Sequence, residues 1–391
     1  MTIADRWLLP EGVEDILPPA AERIETLRSN LLGLYQTWGF DQVMPPMMEY
    51  IESLLTGAGH DLDTQTFKVT DQLNGRLMGI RADITPQVAR IDAHSLAREG
   101  VSRFCYAGQV LHTKAANIMD TRNPIQLGAE LYGHAGVESD FEIISLMIES
   151  LGASGIDNVT LDLGHVGVFR QLMIKAGLDK DLETQLFDIL ARKALPELEL
   201  FVPAHFKNQS LGEAVRQMAY VCGGPEIIPS IRELVAPLSA DAVEAVDELN
   251  QLVSRITARY PKVKLYMDLS ELRGYNYHTG MVFAAYKTGG SQPLASGGRY
   301  DETGKVFGRA RPATGFSLNL LKVADASELT VETRKVILAP NSDGEGLYEF
   351  IKQLRSDGHR VIRQLADSDV ENSDAVIDQK DGQWCVVDRN D

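Results

Sequence analysis

The chain has 391 residues, 44% apolar and 24% charged, the balance of a globular protein with room for two or three cored domains. A formal charge of −17, from 38 basic and 55 acidic residues, argues against non-specific binding to nucleic acid, which depends on neutralising phosphates. Three scattered cysteines, Cys105, Cys222 and Cys385, argue against a disulfide framework or a structural zinc site.

The opening "MTIADRWLLPEGVEDILPP" lacks the basic-then-apolar layout of a secretion signal, and no long uninterrupted apolar window follows. The expected location is the cytoplasm, with no membrane span. Residues 20–38 place Ile24, Leu27, Leu31, Leu34 and Tyr35 at helical spacing, and Gly39 closes the helix. "FDQVMPPMMEY" predicts a short strand broken by Pro45 and Pro46, suited to an edge or a dimer contact. "FKVTDQLNGRLMGIRADI" predicts a hairpin with Asn74-Gly75 at its tip. A helix is expected from about Pro86 to Arg98, then two paired strands across "YAGQVLHTKAANIMDTRNPIQLGAELYG".

"ESDFEIISLMIESLGASG" predicts an amphipathic helix, and "NVTLDLGHVGVFRQLMIKAG" a strand, a turn and a helix. From about 178 to 258 the pattern is almost wholly helical and reads as an insertion. Strands return at "VKLYMDLS", "GMVFAAY" and "RPATGFSLNL". A linker near 325–334 separates a core domain, residues 1–325, from a small α/β domain, residues 331–391. The fold class is therefore α+β, with a largely antiparallel sheet. No glycine-rich dinucleotide or triphosphate loop opens a helix after a strand.

Four places could carry chemistry. Asp83 and Thr85 precede a helix and serve either as caps or as pocket groups. Gln126 and Glu130 lie four apart on a strand, so both face one side, toward solvent or into a pocket. In "LRGYNYHTGMVF", Arg273, Tyr277 and His278 flank Gly274; an arginine and an aromatic hydroxyl suit a carboxylate and a ring, or an ordinary strand start. "SGGRYDETGKVFGRARPATGF" reads as a loop.

Taken together and in order over roughly residues 8–325, "LPEGVEDILPP", "QLGAELYG", "LRGYNYHTGMVF", "GGRYD" and "PATGF" resemble histidyl-tRNA synthetases. The resemblance implies a class II aminoacyl-tRNA synthetase-like core, an antiparallel sheet flanked by helices, that self-dimerises around "GFDQVMPP". It also implies a histidine pocket made of Asp83, Thr85, Gln126, Glu130, Arg273, Tyr277 and His278, the last standing where the synthetases carry a tyrosine. Carboxylates suit histidine because they pair with its ammonium and accept an imidazole N–H.

The nucleotide side departs from the family. Leu111, His112, Thr113 and Lys114 stand where a phenylalanine, arginine, tyrosine and glutamate are expected, and Asn319 to Lys322 replace a second arginine motif. Each lost guanidinium removes preorganised charge worth about 10²–10³ in rate. Residues 331–391 hold 8 basic and 13 acidic residues, a net charge of −5 that suits an RNA backbone poorly.

An intact amino-acid pocket beside a broken ATP site resembles the regulatory subunits of ATP phosphoribosyltransferase. That resemblance implies a non-catalytic chain with no cofactor and no metal. It implies assembly with the short-form catalytic subunit as a hetero-oligomer, expected as a hetero-octamer, which this chain would activate. L-histidine would be the allosteric ligand for feedback inhibition, with no tRNA bound. The alternative is an authentic histidyl-tRNA synthetase.

Overall fold

The computed structural model describes residues 7–55, 60–115, 117, 120–270, 272, 274–275, 277–329 and 335–389. Two compact units emerge, Met1–Leu329 and Thr330–Asp391. The expected linker lies partly outside the described residues.

In the first unit the strands are β1 (Asp41–Gln42), β2 (Met48–Tyr50), β3 (Phe67–Thr70), β4 (Leu77–Ile80), β5 (Ser102–Gln109), β6 (Ile125–Tyr132), β7 (Val159–His165), β8 (Cys222–Gly223), β9 (Lys264–Asp268), β10 (Met281–Lys287), β11 (Ala295–Arg299) and β12 (Ala313–Asn319). Nine of them form one sheet in the order β1-β5-β6-β12-β11-β10-β7-β9-β8. Its central pairs are antiparallel, while β1 with β5 and β7 with β9 run parallel. β2, β4 and β3 make a separate three-stranded sheet. The tip of the β3–β4 hairpin turns at Gly75, whose φ of 74° is costly for any residue with a Cβ.

Period-two alternation gives the large sheet two buried faces of different character. Leu127, Ala129, Leu131, Leu161, Leu163, Phe283, Phe316 and Leu318 belong to the main hydrophobic core, together with residues of helices Ala20–Thr37 and Val137–Ala153. Directly paired positions share a face, and the opposite face carries Gly128, Glu130, Gly164, Ala284, Ser296, Gly298, Gly315 and Ser317. Those small side chains leave space above the sheet.

Several elements differ from the sequence reading. The helix expected to reach Arg98 is α-helical only over Thr85–Arg90; it widens into a π-helix, Ile91–Leu96, and ends at Ala97 with φ 45°. Residues 295–299, read as a loop from their paired glycines, form β11, because β10 and β12 supply backbone partners on both sides. The helical stretch holds five helices, Lys180–Ala191, Leu195–His205, Gln209–Met218, Ile228–Val235 and Ala240–Arg259, interrupted by β8 at the edge of the sheet. Its buried side chains, Leu186, Val215 and Leu249 among them, are continuous with the main core.

Buried arginines tie the loops to this frame. Arg311 Nη1 donates to both carboxylate oxygens of Asp92, at 2.9 and 3.0 Å, with both side chains buried. Arg299 pairs with Asp140 at 2.9 Å and also reaches Ser139 and the His134 carbonyl.

The second unit holds β13 (Val336–Ala339), helix Leu347–Ser356, β14 (Arg360–Arg363), β15 (Ala375–Lys380) and β16 (Gln383–Asp388). Its sheet runs β14-β13-β15-β16, with β13 parallel to both neighbours and β15 antiparallel to β16. Ile337, Ala339, Leu347, Ile351 and Ile377 form a core of its own. Among the described residues, no helix is long and apolar enough to cross a membrane.

Asp92→Ala leaves the Arg311 guanidinium buried without its carboxylate. The expected loss is about 3–5 kcal/mol in urea denaturation, whereas removing Arg232 from its exposed, solvent-screened pair with Asp247 should leave the midpoint close to wild type.

Candidate functional site

Above the small-residue face lies a cavity of about 280 Å³. The sheet supplies its floor, the segment before helix Thr85–Arg90 one wall, and the loop before β10 another. Among its described lining residues are three carboxylates, Asp83, Glu130 and Asp162, and no lysine or arginine.

Glu130 is 1% exposed. Its Oε1 accepts from the Tyr106 hydroxyl at 3.0 Å, and its Oε2 accepts from the Tyr300 hydroxyl. Tyr106 OH also bonds Thr85 Oγ1 at 3.1 Å, joining three elements around one carboxyl. Burial lifts the Glu130 carboxyl to about 8; nearby Asp83 pushes the same way, and the tyrosine hydroxyls only partly offset it. The carboxyl fits because position 315, directly opposite on β12, is glycine: a Cβ there would lie 1.6 Å from Glu130 Oε2.

Asp83 Oδ1 accepts from the Thr85 N–H at 3.0 Å and from Gln126 Nε2 at 2.8 Å, while Gln126 Oε1 accepts from the Ile84 N–H at 2.8 Å. Asp83 stands one residue before the N-cap Ile84, holds the N–H of the first helical residue, and also lines the cavity. Gln126 does not line this cavity. It stands behind Asp83 and fixes where that carboxylate points.

Tyr277 and His278 form the far wall. The Tyr277 ring stacks on Tyr300 at 5.1 Å and meets His278 edge-on at 5.3 Å. Gly274, with φ 61°, closes the turn: its carbonyl accepts from the N–H groups of Tyr277 and His278, both at 2.7 Å. A Cβ there would press on the His278 ring at 2.4 Å. Arg273 lies outside the described residues.

The structure thus brings Asp83, Thr85, Glu130, Tyr277 and His278 into one cavity, with Gln126 in support. Sequence reasoning missed Tyr106, Tyr300 and Asp162. Tyr106 had a findable signal, since it pairs directly with Gly128, two residues from Glu130 on the same face.

A second cavity, of about 200 Å³, adjoins the first through Ser296 and Ser317. His112, Gln126, Asn319 and Lys322 line it. His112 Nε2 bonds the Ala82 carbonyl at 2.9 Å, Asn319 caps the helix Leu320–Ala326, and Lys322 pairs with Asp120 at 2.9 Å while donating to Gln292. No arginine is among its described lining residues, so nothing there offers a guanidinium to phosphate. Among the described residues no cluster of His, Cys, Asp and Glu is placed to hold a metal ion.

Residues 12–323 match the family described as histidyl-tRNA synthetase, and residues 334–387 match the C-terminal domain of the ATP phosphoribosyltransferase subunit HisZ. An ATP phosphoribosyltransferase regulatory subunit from Thioalkalivibrio sulfidiphilus is 51% identical, covering 99% of this chain and 100% of that protein. The chain belongs to the ATP phosphoribosyltransferase regulatory subunits. A regulatory subunit from Pseudomonas aeruginosa is 48% identical, over 99% of each chain. A solved structure described as an ATP phosphoribosyltransferase regulatory subunit/histidyl-tRNA synthetase from Bacillus halodurans has a TM-score of 0.82 at 27% identity, covering 95% of this chain and 97% of its own.

The fold is accordingly the class II synthetase-like α+β core expected from the motifs, and the reading as an authentic synthetase is set aside. As a regulatory subunit in histidine biosynthesis, the chain is non-catalytic and works with a catalytic ATP phosphoribosyltransferase subunit.

Folding traps a proton on Glu130 that the unfolded chain would release near pH 4.5, and the folded protein holds it up to about pH 8. Its contribution to stability is therefore full below pH 4.5 and is lost as pH rises toward 8. Thermal melts from pH 5 to 8.5 should show the wild type losing stability relative to Glu130→Gln, whose neutral side chain has no such slope.

Proposed function

We propose that the larger cavity binds free L-histidine and that its occupancy sets the activity of the partner catalytic subunit. The observation that carries this reading is the contrast between neighbouring cavities. Among the described lining residues one gathers the carboxyl groups of Asp83, Glu130 and Asp162, whereas in the other His112 is bonded to the Ala82 carbonyl and Lys322 is paired with Asp120.

In this reading Asp83, oriented by Gln126 and backed by Thr85, takes the ammonium group. Glu130 takes an imidazole nitrogen, Tyr277 and His278 enclose the ring, and Arg273 meets the carboxylate. Asp83 and Asp162 favour a cationic or N–H-rich ligand because carboxylate oxygens accept, and a cationic ligand would oppose the burial that keeps Glu130 protonated and so recruit it as a third acceptor. Histidine then inhibits by binding one assembly state better than another, since a ligand shifts an equilibrium only through differential affinity.

The partner is the short-form catalytic subunit, which joins ATP to phosphoribosyl pyrophosphate in the cytoplasm. This chain activates it within a hetero-octamer and pairs with its own copy through the core. The exposure of Met44 (80%) and Met47 (43%), beside the short edge strand β1, supports the self-contact. The acidic surface disfavours tRNA binding.

Calorimetry of the full chain should detect histidine binding that Glu130→Ala abolishes; equal affinity in the two proteins would defeat the pocket assignment. Co-purification with the short catalytic subunit should yield a phosphoribosyl-transfer rate above that subunit alone, and histidine should lower it. Histidine-dependent pyrophosphate exchange by this chain should be absent.

A further inference from the structure

The loop that walls the cavity has a second side. Tyr277 and His278 face the cavity, but Tyr275, two residues earlier, is 7% exposed and packs into the helical region instead. Its ring lies edge-on to Phe169 at 5.1 Å and stacks on Phe187 at 5.6 Å. Its hydroxyl donates to the carboxylate of Glu183. Phe187 and Glu183 both belong to helix Lys180–Ala191, one turn apart.

Two further residues fasten the same loop. Arg170, on helix Val166–Ala176, donates to the carbonyls of Tyr275 at 3.2 Å and His278 at 2.9 Å, and its guanidinium carbon lies 5.3 Å from the Tyr275 ring centroid. Lys193, just past helix Lys180–Ala191, meets Asp268 at 2.5 Å where β9 leads into the loop. The helix thus holds the loop at its start and its middle, while the cavity takes the residues between that point and β10.

Resting on the reading of the cavity as a histidine site, we propose that Tyr275 and Glu183 are a latch through which helix Lys180–Ala191 registers occupancy of the cavity. A ligand that draws in Tyr277 and His278 moves a short, internally bonded turn. Gly274 accepts two backbone N–H bonds at 2.7 Å, so the turn shifts as a unit and carries Tyr275 with it. Tightly packed side chains respond by moving between discrete arrangements, so the displacement passes to Phe187 and Glu183 and is not absorbed at the contact. Tyr275 and Glu183 are positioning residues: neither lines the cavity.

Hydrogen–deuterium exchange on the full chain, with and without saturating histidine, tests the latch. In the wild type, histidine should slow exchange both in the 272–280 loop and in helix Lys180–Ala191. Tyr275→Phe keeps the ring packing and Glu183→Gln keeps the side-chain shape, so calorimetry should still find histidine affinity within about threefold of wild type. Both variants should retain loop protection and lose protection of the helix. Helix exchange indifferent to histidine in the wild type, or fully retained in both variants, overturns the latch with the pocket reading intact. Absence of histidine binding by the wild type overturns the pocket reading and the latch together.

Discussion

A carboxyl group can sit at the centre of this fold only because the residue opposite it has no side chain. Gly315 gives Glu130 its volume, Gly128 gives Tyr106 its hydroxyl position, and Gly298 leaves space for the His278 ring. Missing Cβ atoms on one face of the sheet therefore create the cavity and admit the groups that furnish it. The other face of the same strands, filled with leucine and phenylalanine, anchors the sheet to its helices. Strand pairing keeps the two faces from exchanging, since a one-residue slip would put leucines where the cavity is.

Positive charge is apportioned unevenly across the core. Arg81, Arg299 and Arg311 are all buried, and each donates to backbone carbonyls or acids that hold loops in place. Neither cavity draws on them. These three guanidinium groups serve the architecture, while the larger cavity presents carboxyl and hydroxyl groups among its described lining residues.

Much of this was legible in advance because it depends on local patterns. The Ala20–Thr37 helix followed from apolar spacing, the β3–β4 hairpin from Asn74-Gly75, and the alternation around Glu130 from period two. Other features depend on partners distant in the chain. Gly297 and Gly298 resemble a turn until β10 and β12 are placed on either side of them. Tyr106 and Tyr300 resemble ordinary core tyrosines until both converge on one carboxyl from strands and loops far apart in sequence. Gln126 has the parity of a cavity residue, yet its amide is turned to Asp83 and the Ile84 N–H. The π-helical turn at Ile91–Leu96 has no signature in side-chain periodicity, and the arginine that pairs with its Asp92 is Arg311, far along the chain.

The pairing of Lys322 with Asp120 sets what a substitution at the smaller cavity would meet. Asp120 keeps only 10% of its side chain exposed, so it needs a cation, and Gln292 also engages that lysine. An arginine placed at 322 would be drawn to Asp120 before it met any phosphate, and one at 112 would displace a ring bonded to the Ala82 carbonyl. Both positions are thus committed to contacts within the chain, so packing as well as the missing groups keeps the smaller cavity from holding a triphosphate.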